Sequence, residues 1–140
     1  MLTMKRFILL IVAAAAALLL SVSCIKGSLD TEQIYGMWSV SKMEWLDKSN
    51  TQPVPFDPSA DIAVEFQREG LLYYVVRHGS EGMLTPGHWD MDGQNITVEL
   101  HEEGVNFFSG NYFIAKISKK SMLMTYEYKG SGLLGIYFTR

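Results

Sequence analysis

Residues 61–77 read DIAVEFQREGLLYYVVR. Apolar residues recur at every second position up to Phe66, and a turn-forming run that ends in Gly70 separates them from a second apolar run. This pattern predicts two antiparallel strands joined by a short turn. Pairing Phe66 with Leu71 collects one apolar face on the hairpin, made of Ile62, Val64, Phe66, Leu71, Tyr73 and Val75.

The same two-residue period continues along the chain on the C-terminal side of this hairpin, and one further strand precedes it. We predict eight strands, at Met37–Trp45, Asp61–Phe66, Leu71–Arg77, His88–Met91, Asn95–His101, Asn111–Ile117, Met122–Tyr128 and Leu133–Thr139. Lys116 interrupts the alternation of the sixth strand, which predicts a β-bulge before Ile117. A short helix is predicted over residues 29–34, where Asp30 can cap its start.

Eight antiparallel strands in sequence leave two exposed edges unless the first strand pairs with the last. We therefore predict an all-β fold: an eight-stranded antiparallel up-and-down barrel with one short N-terminal helix. In this topology the long connections at residues 46–60, 78–87 and 102–110 share one end, and the tight turns share the other. The barrel is expected to have a mouth ringed by long loops and a closed opposite end.

The first 23 residues have the layout of a secretion signal. Lys5 and Arg6 precede an unbroken apolar run over residues 7–20, whose length suits a signal peptide better than a spanning helix. The segment at 20–24 reads LSVSC and resembles the lipobox of bacterial lipoproteins. That resemblance implies a diacylglycerol on the Cys24 thiol, cleavage before Cys24 and acylation of the new amine, for example with palmitate. A retained membrane anchor is the alternative, because the uncharged stretch continues to Ile25.

Cleavage at this site would divide the chain into a signal peptide at 1–23, a lipidated tether at 24–28 and a barrel domain at 29–140. Cys24 is the only cysteine, so an internal disulfide is excluded. Ile25 stands where some lipoproteins carry an Asp that retains them in the inner membrane. The resemblance therefore implies a bacterial envelope lipoprotein attached to the outer membrane, facing the periplasm or the cell surface.

Two features at the predicted closed end resemble lipocalins. Gly36-Met37-Trp38 opens the first strand directly after the short helix, and Arg140 directly follows the last strand. Lipocalins carry a G-x-W motif at the start of their first strand. They also carry an Arg after their last strand, and this Arg packs over the Trp. The segments FQREG at 66–70, GHWDM at 87–91 and LGIYFTR at 134–140 are similar to the lipocalin-like domain of small Gram-negative lipoproteins. The resemblance implies structural roles for Trp38 and Arg140.

Side chains that point into the barrel near its mouth form the predicted binding site. By strand parity they are Tyr73, Val75, Trp89, Leu100, Tyr112, Tyr126, Tyr128 and Leu134. Apolar walls with a few hydroxyls suit a small apolar or amphipathic molecule, which we expect the domain to bind without catalysis. The alternative is that these side chains fill the barrel, which would leave a structural or protein-interaction module of the envelope.

The composition and motifs of the chain limit which classes of partner and activity we expect. The chain has 15 acidic and 12 basic residues, and an acidic surface repels a phosphate backbone, so we expect no nucleic-acid partner. We find no catalytic motif or metal-ligand spacing and predict no enzyme activity, cofactor or bound metal. His78, His88 and His101 fall near the mouth on neighbouring strands, which leaves metal binding by this group open. We expect a monomer held at the membrane by its lipid anchor.

Overall fold

The computed structural model describes residues 29–140. The predicted signal peptide at 1–23, the lipidation site Cys24 and the rest of the tether at 24–28 lie outside the described residues. Among residues 29–140, no helix is long and apolar enough to cross a membrane. Residues 31–140 form one compact unit that contains every strand named below, as expected of a domain that folds on its own.

Eight antiparallel strands close into an up-and-down barrel, which confirms the predicted fold class. They are β1 (Gly36–Trp45), β2 (Asp61–Phe66), β3 (Leu71–His78), β4 (Glu81–Asp92), β5 (Asn95–Leu100), β6 (Gly110–Ile117), β7 (Ser121–Glu127) and β8 (Leu133–Thr139). Each strand pairs with the next along the chain, and β1 pairs with β8 to close the sheet. Two 3-10 turns accompany them, at Thr31–Gln33 and Arg68–Gly70.

The strands bury every second side chain, because one face of each strand points toward the barrel axis. In β2, for example, Ile62, Val64 and Phe66 are buried while the residues between them are not. The largest fully buried side chains are Trp38, Tyr112, Phe66, Phe107, Phe138, Ile34, Leu72, Ile96, Ile114, Met124, Leu134 and Ile136. Each such side chain contributes about 1.5–3 kcal/mol by its removal from water, so this interior is the main source of stability.

The β2–β3 hairpin forms, but its register differs by one residue from the predicted one. Phe66 pairs with Leu72 rather than with Leu71. Glu69 and Gly70 both adopt the left-handed backbone conformation, with φ of 62° and 78°. The connection between the strands therefore holds one residue more than the predicted turn.

This shift exchanges the two faces of β3, because side chains alternate along a strand. Leu72 and Tyr74 are buried in the barrel, whereas Tyr73 and Val75 lie on its outer face. The prediction that Tyr73 and Val75 point into the barrel was therefore wrong. Residues 71–76 read LLYYVV, so both faces of this strand are equally apolar and the alternation cannot distinguish the two registers.

The fourth strand is longer than predicted and begins at Glu81 instead of His88. The expected long loop at 78–87 is therefore wrong: β3 and β4 continue as a hairpin that turns at Gly79 and Ser80. Gly82, Pro86 and Gly87 are residue types typical of loops, but Pro86 lies where the pairing of β4 with β5 ends, at a position where proline is tolerated.

The longer β4 also moves Trp89 away from the mouth, which corrects its predicted place. Its indole N–H donates to the Gln67 carbonyl at 2.8 Å, in the turn between β2 and β3. Its ring packs edge-on against Phe66 at 5.2 Å and Tyr35 at 5.9 Å. Trp89 is thus part of the core near the closed end.

Bulges occur in two strands. The register of β6 with β7 shifts between Ile114 and Lys116, which confirms the bulge predicted before Ile117. A second shift, between Val40 and Lys42 of β1 opposite β8, was not predicted. Bulges increase local twist and bending, which helps a short sheet to close.

The closed end is built around Trp38, which is 0% exposed. Its indole N–H donates to the Ile34 carbonyl at 2.9 Å, next to the N-terminal 3-10 turn. The guanidinium carbon of Arg140 lies 3.9 Å from the Trp38 ring centroid. Arg140 also donates to the carbonyls of Gln33, Tyr35 and Lys119, at 3.2, 2.9 and 2.8 Å, so this terminal side chain joins three segments across the closed end.

Candidate functional site

The mouth of the barrel is covered by the connection between β5 and β6, at residues 101–109, which sends one aromatic ring into the barrel. Phe107 is 0% exposed. Its ring stacks on Tyr112 at a centroid distance of 5.3 Å, and contacts Tyr74 at 6.2 Å and Phe138 at 6.0 Å. These partners belong to β6, β3 and β8, so Phe107 packs inside the barrel between side chains of three strands. We call residues 101–109 the plug loop.

Three tyrosine hydroxyls hold the plug loop from the barrel wall. The Tyr112 hydroxyl accepts from the Phe108 amide at 2.8 Å and donates to the Phe108 carbonyl at 2.6 Å. The Tyr74 hydroxyl likewise accepts from the Val105 amide, and it donates to the Val105 carbonyl at 2.6 Å. Tyr126 donates to a third loop carbonyl at 2.6 Å. The loop also needs glycine at one position, because a Cβ on Gly104 would meet the Phe107 carbonyl oxygen at 1.9 Å.

Burial raises the pKa of all three phenols, including that of Tyr126. The pKa of Tyr112 lies well above its ordinary value because the ring is desolvated, although its hydrogen bond to Phe108 acts in the opposite direction. Desolvation also raises the pKa of Tyr74. These hydroxyls are therefore protonated donors at neutral pH, which suits anchoring of the loop rather than proton transfer.

The second long connection, at residues 46–60, is joined to the plug loop. Asn106 is buried, and its side-chain oxygen accepts from the Asp57 amide at 2.8 Å while its nitrogen donates to the Asp57 carbonyl at 2.9 Å. At the end of β1, the Trp45 indole donates to the Gln52 carbonyl at 2.9 Å. The Asn106–Asp57 hydrogen bonds therefore tie the two long connections to each other at the mouth.

A groove of about 320 Å³ remains at the rim, between the plug loop and the inner face of the β3–β4 hairpin. We call it the rim groove. Val76 and Met83 form its apolar wall on the hairpin, Val105 faces them from the plug loop, and Tyr74 lies between. Met83 is 62% exposed, so the groove presents apolar surface to solvent at the entrance of a barrel whose interior holds buried aromatic side chains.

The strand pairing explains why the groove exists. Tyr74 pairs with Thr85, Val76 with Met83, and His78 with Glu81 at the hairpin tip. These side chains therefore share the inner face. β4 pairs with β5 over Gly87–Asp92, so its first half stands beside the plug loop instead of a neighbouring strand. The loop does not fill the space that a strand would fill.

The predicted binding residues do not line the rim groove. Leu100, Tyr112, Tyr126, Tyr128 and Leu134 belong to the mouth half of the barrel, but they lie under the plug loop. Leu134 and Tyr112 are buried, and the rings of Tyr126 and Tyr128 pack on Phe108 at 5.5 and 5.3 Å. Tyr73, Val75 and Trp89 lie elsewhere, as described above.

Sequence reasoning missed the groove because one part of its wall is predicted as a loop and another part is predicted to face outward. Met83 and Thr85 lie in the first half of β4, where no strand was predicted, and Tyr74 and Val76 were placed on the wrong face. The alternation of Met83 and Thr85 around Leu84 is a strand signal that could have indicated this face.

The three histidines do not come together. The rings of His88 and His101 lie 6.0 Å apart, whereas His78 contributes to the rim groove. Within residues 29–140, His, Asp, Glu and Cys side chains form no group of three or more that could hold a metal ion.

Comparison with known proteins supports the fold. A scan against protein-family models finds no match, and a search of curated proteins finds none. Among solved structures, the chain is similar to a lipocalin-like protein from Bacteroides uniformis, with a TM-score of 0.54 and 17% sequence identity. The match covers 77% of this chain and 98% of that one. The barrel therefore has a lipocalin-like fold.

Proposed function

We propose that this chain is an envelope lipoprotein whose barrel domain binds a small apolar or amphipathic molecule in the rim groove, without catalysis. The observation that carries the proposal is an exposed apolar groove at the mouth of a lipocalin-like barrel, where folds of this kind admit ligands. Its volume of about 320 Å³ lies in the range of small-molecule sites. The site is placed at the rim rather than inside because Phe107 and its neighbours occupy the interior.

The lipoprotein part of the proposal is supported by the sequence at 20–24. A lipid-modified Cys24 would keep the domain at the membrane, because each buried methylene of an acyl chain contributes about 0.8 kcal/mol. The outer membrane is the proposed location. At this membrane, a domain with an apolar groove can take up a poorly soluble molecule close to the bilayer.

Two neighbouring residues offer a matched test of the groove. Met83 and Leu84 are 62% and 59% exposed, but they lie on opposite faces of β4. A neutral apolar probe, N-phenyl-1-naphthylamine, is titrated into the domain of residues 25–140 and its fluorescence is followed. We expect saturable micromolar binding that Met83→Ser weakens about tenfold, since burial of a Met side chain contributes about 1.5–3 kcal/mol.

Leu84→Ser is the control, and it should leave the affinity for the probe unchanged. Equal losses in the two variants would mean that the probe binds exposed apolar surface without a defined site. Absence of saturable binding to the unaltered domain would contradict the proposed function.

A second candidate function, a filled-barrel interaction module, is favoured by the outer face of the same hairpin. The residues paired across this face are Leu71 with His88, Tyr73 with Pro86, and Val75 with Leu84. This row is largely apolar, and exposed apolar patches mark contact surfaces. A photo-crosslinking amino acid at position 84 in the native host should then give one discrete protein adduct, and the same amino acid at the exposed position 127 of β7 should give none.

A further inference from the structure

We propose that the rim groove selects amphiphiles that carry a cationic head group. This inference rests on the proposed function and adds the ligand's charge to it. Three carboxylates line the groove from both sides: Glu81 from the start of β4, and Glu102 and Glu103 from the plug loop. None of the described residues that line it is a lysine or arginine, and its basic side chain is that of His78.

The hydrogen-bonding groups of the groove also disfavour an anionic ligand. The Tyr74 hydroxyl already donates to the Val105 carbonyl, so it is not a free donor for a carboxylate. Arg77 follows the opposite parity of β3 and lies on the outer face, beside Asp61, where both line a separate depression. A carboxylate head group in the groove would therefore meet three like charges, whereas an ammonium group would meet three opposite ones.

The apolar and charged parts of the groove are arranged as an amphiphile requires. Val76, Met83 and Val105 provide the apolar surface, and the glutamates stand around it as exposed side chains. The carboxylates are not grouped for a metal ion within residues 29–140. A single short alkyl chain with an ammonium head matches both the volume and the charge, and the net charge of −3 of the whole chain attracts cations toward it.

The test compares three ligands with the same ten-carbon chain: decyltrimethylammonium, decanoate and decanol. Each is titrated into the domain of residues 25–140 by calorimetry at low salt and below its micellar concentration. We expect the cation to bind at least about tenfold more tightly than the anion, because each exposed ion pair contributes a factor of about 1.5–5. The double variant Glu102→Gln, Glu103→Gln removes two of the three charges and should lower the ratio by at least about fivefold.

Glu99→Gln is the matched control, because Glu99 pairs with His88 on the outer face of the barrel. This variant should keep the preference of the unaltered domain. Equal affinity for cation and anion, with decanol still bound, would overturn the charge selection and leave the proposed function intact. Failure of all three ligands to bind would overturn both.

Discussion

Trp38 shows how one side chain organises the closed end of the barrel. Its ring is fully buried, its N–H binds the backbone next to the 3-10 turn, and Arg140 covers its other side. The ring belongs to the core, whereas the guanidinium remains exposed to solvent. The two residues should therefore contribute very differently to stability.

Trp38→Ala is expected to lower the free energy of unfolding by about 3–5 kcal/mol, the usual result of removing a large aromatic side chain from a core. Arg140→Ala should cause a smaller loss, because exposed cation–π contacts contribute about 0.5–1 kcal/mol. Urea denaturation of the domain measures both. A loss below about 1 kcal/mol for Trp38→Ala, typical of surface positions, would contradict the packing described for the closed end.

Tyr112 links stability to pH at the opposite end. Burial raises its pKa in the folded state above the unfolded value, so the protonated phenol is fully stabilising below pH about 10 and this stabilisation is lost as the pH rises further. Tyr112→Phe should cost about 1–3 kcal/mol at pH 7 through unpartnered backbone groups of the plug loop. Urea melts at pH 8 and pH 11 should show a steeper loss in the unaltered protein than in the variant. Equal losses in the two proteins would contradict this role.

At the scale of single residues, the sequence indicated some positions and concealed others. Trp38 is the third residue of the Gly36-Met37-Trp38 motif, so its structural role could be predicted from the resemblance to lipocalins. Phe107 lies in a connection that reads VNFFSG at 105–110, where no period applies. Its insertion depends on contacts with Tyr74 of β3 and Phe138 of β8, which are distant in sequence and come near Phe107 only once the barrel has closed.

The β2–β3 hairpin carries the clearest test at the scale of secondary structure. In the observed register Leu72 is 0% exposed and Leu71 is 41% exposed, whereas the register predicted from sequence reverses these two roles. Leu72→Ala should therefore lower the free energy of unfolding by about 2–5 kcal/mol. Leu71→Ala should change it by less than about 1 kcal/mol. Chemical denaturation of both variants gives the answer, and the reverse order would restore the predicted register.

Strand prediction succeeded where polar residues mark one face and failed where they do not. β5 reads NITVEL, and its polar positions define the outer face without ambiguity. β3 carries apolar residues on both faces, so its register is set by the left-handed backbone at Glu69 and Gly70. The start of β4 was concealed by glycine and proline, which are turn signals in isolation but are accommodated here in a strand.

At the scale of the whole molecule, we propose that the barrel domain binds the ligand and that a lipid on Cys24 holds this domain at the membrane. Cys24→Ser should release the protein from the membrane fraction and block its processing, because serine offers no thiol for the lipid. Fractionation of the native host, with the mass of the protein measured in each fraction, tests this. A Ser variant that stays acylated and membrane-bound would contradict the lipoprotein assignment.

The division of the barrel into a packed interior and an open rim is the central claim, and methionine positions report on both. Met83 lines the rim groove, and Met124 is buried in the interior. In the domain labelled with ¹³C at the methionine methyl groups, titration with decanol should shift the Met83 resonance saturably and leave the Met124 resonance in place. A shift of Met124 without one of Met83 would place the ligand inside the barrel and contradict the account.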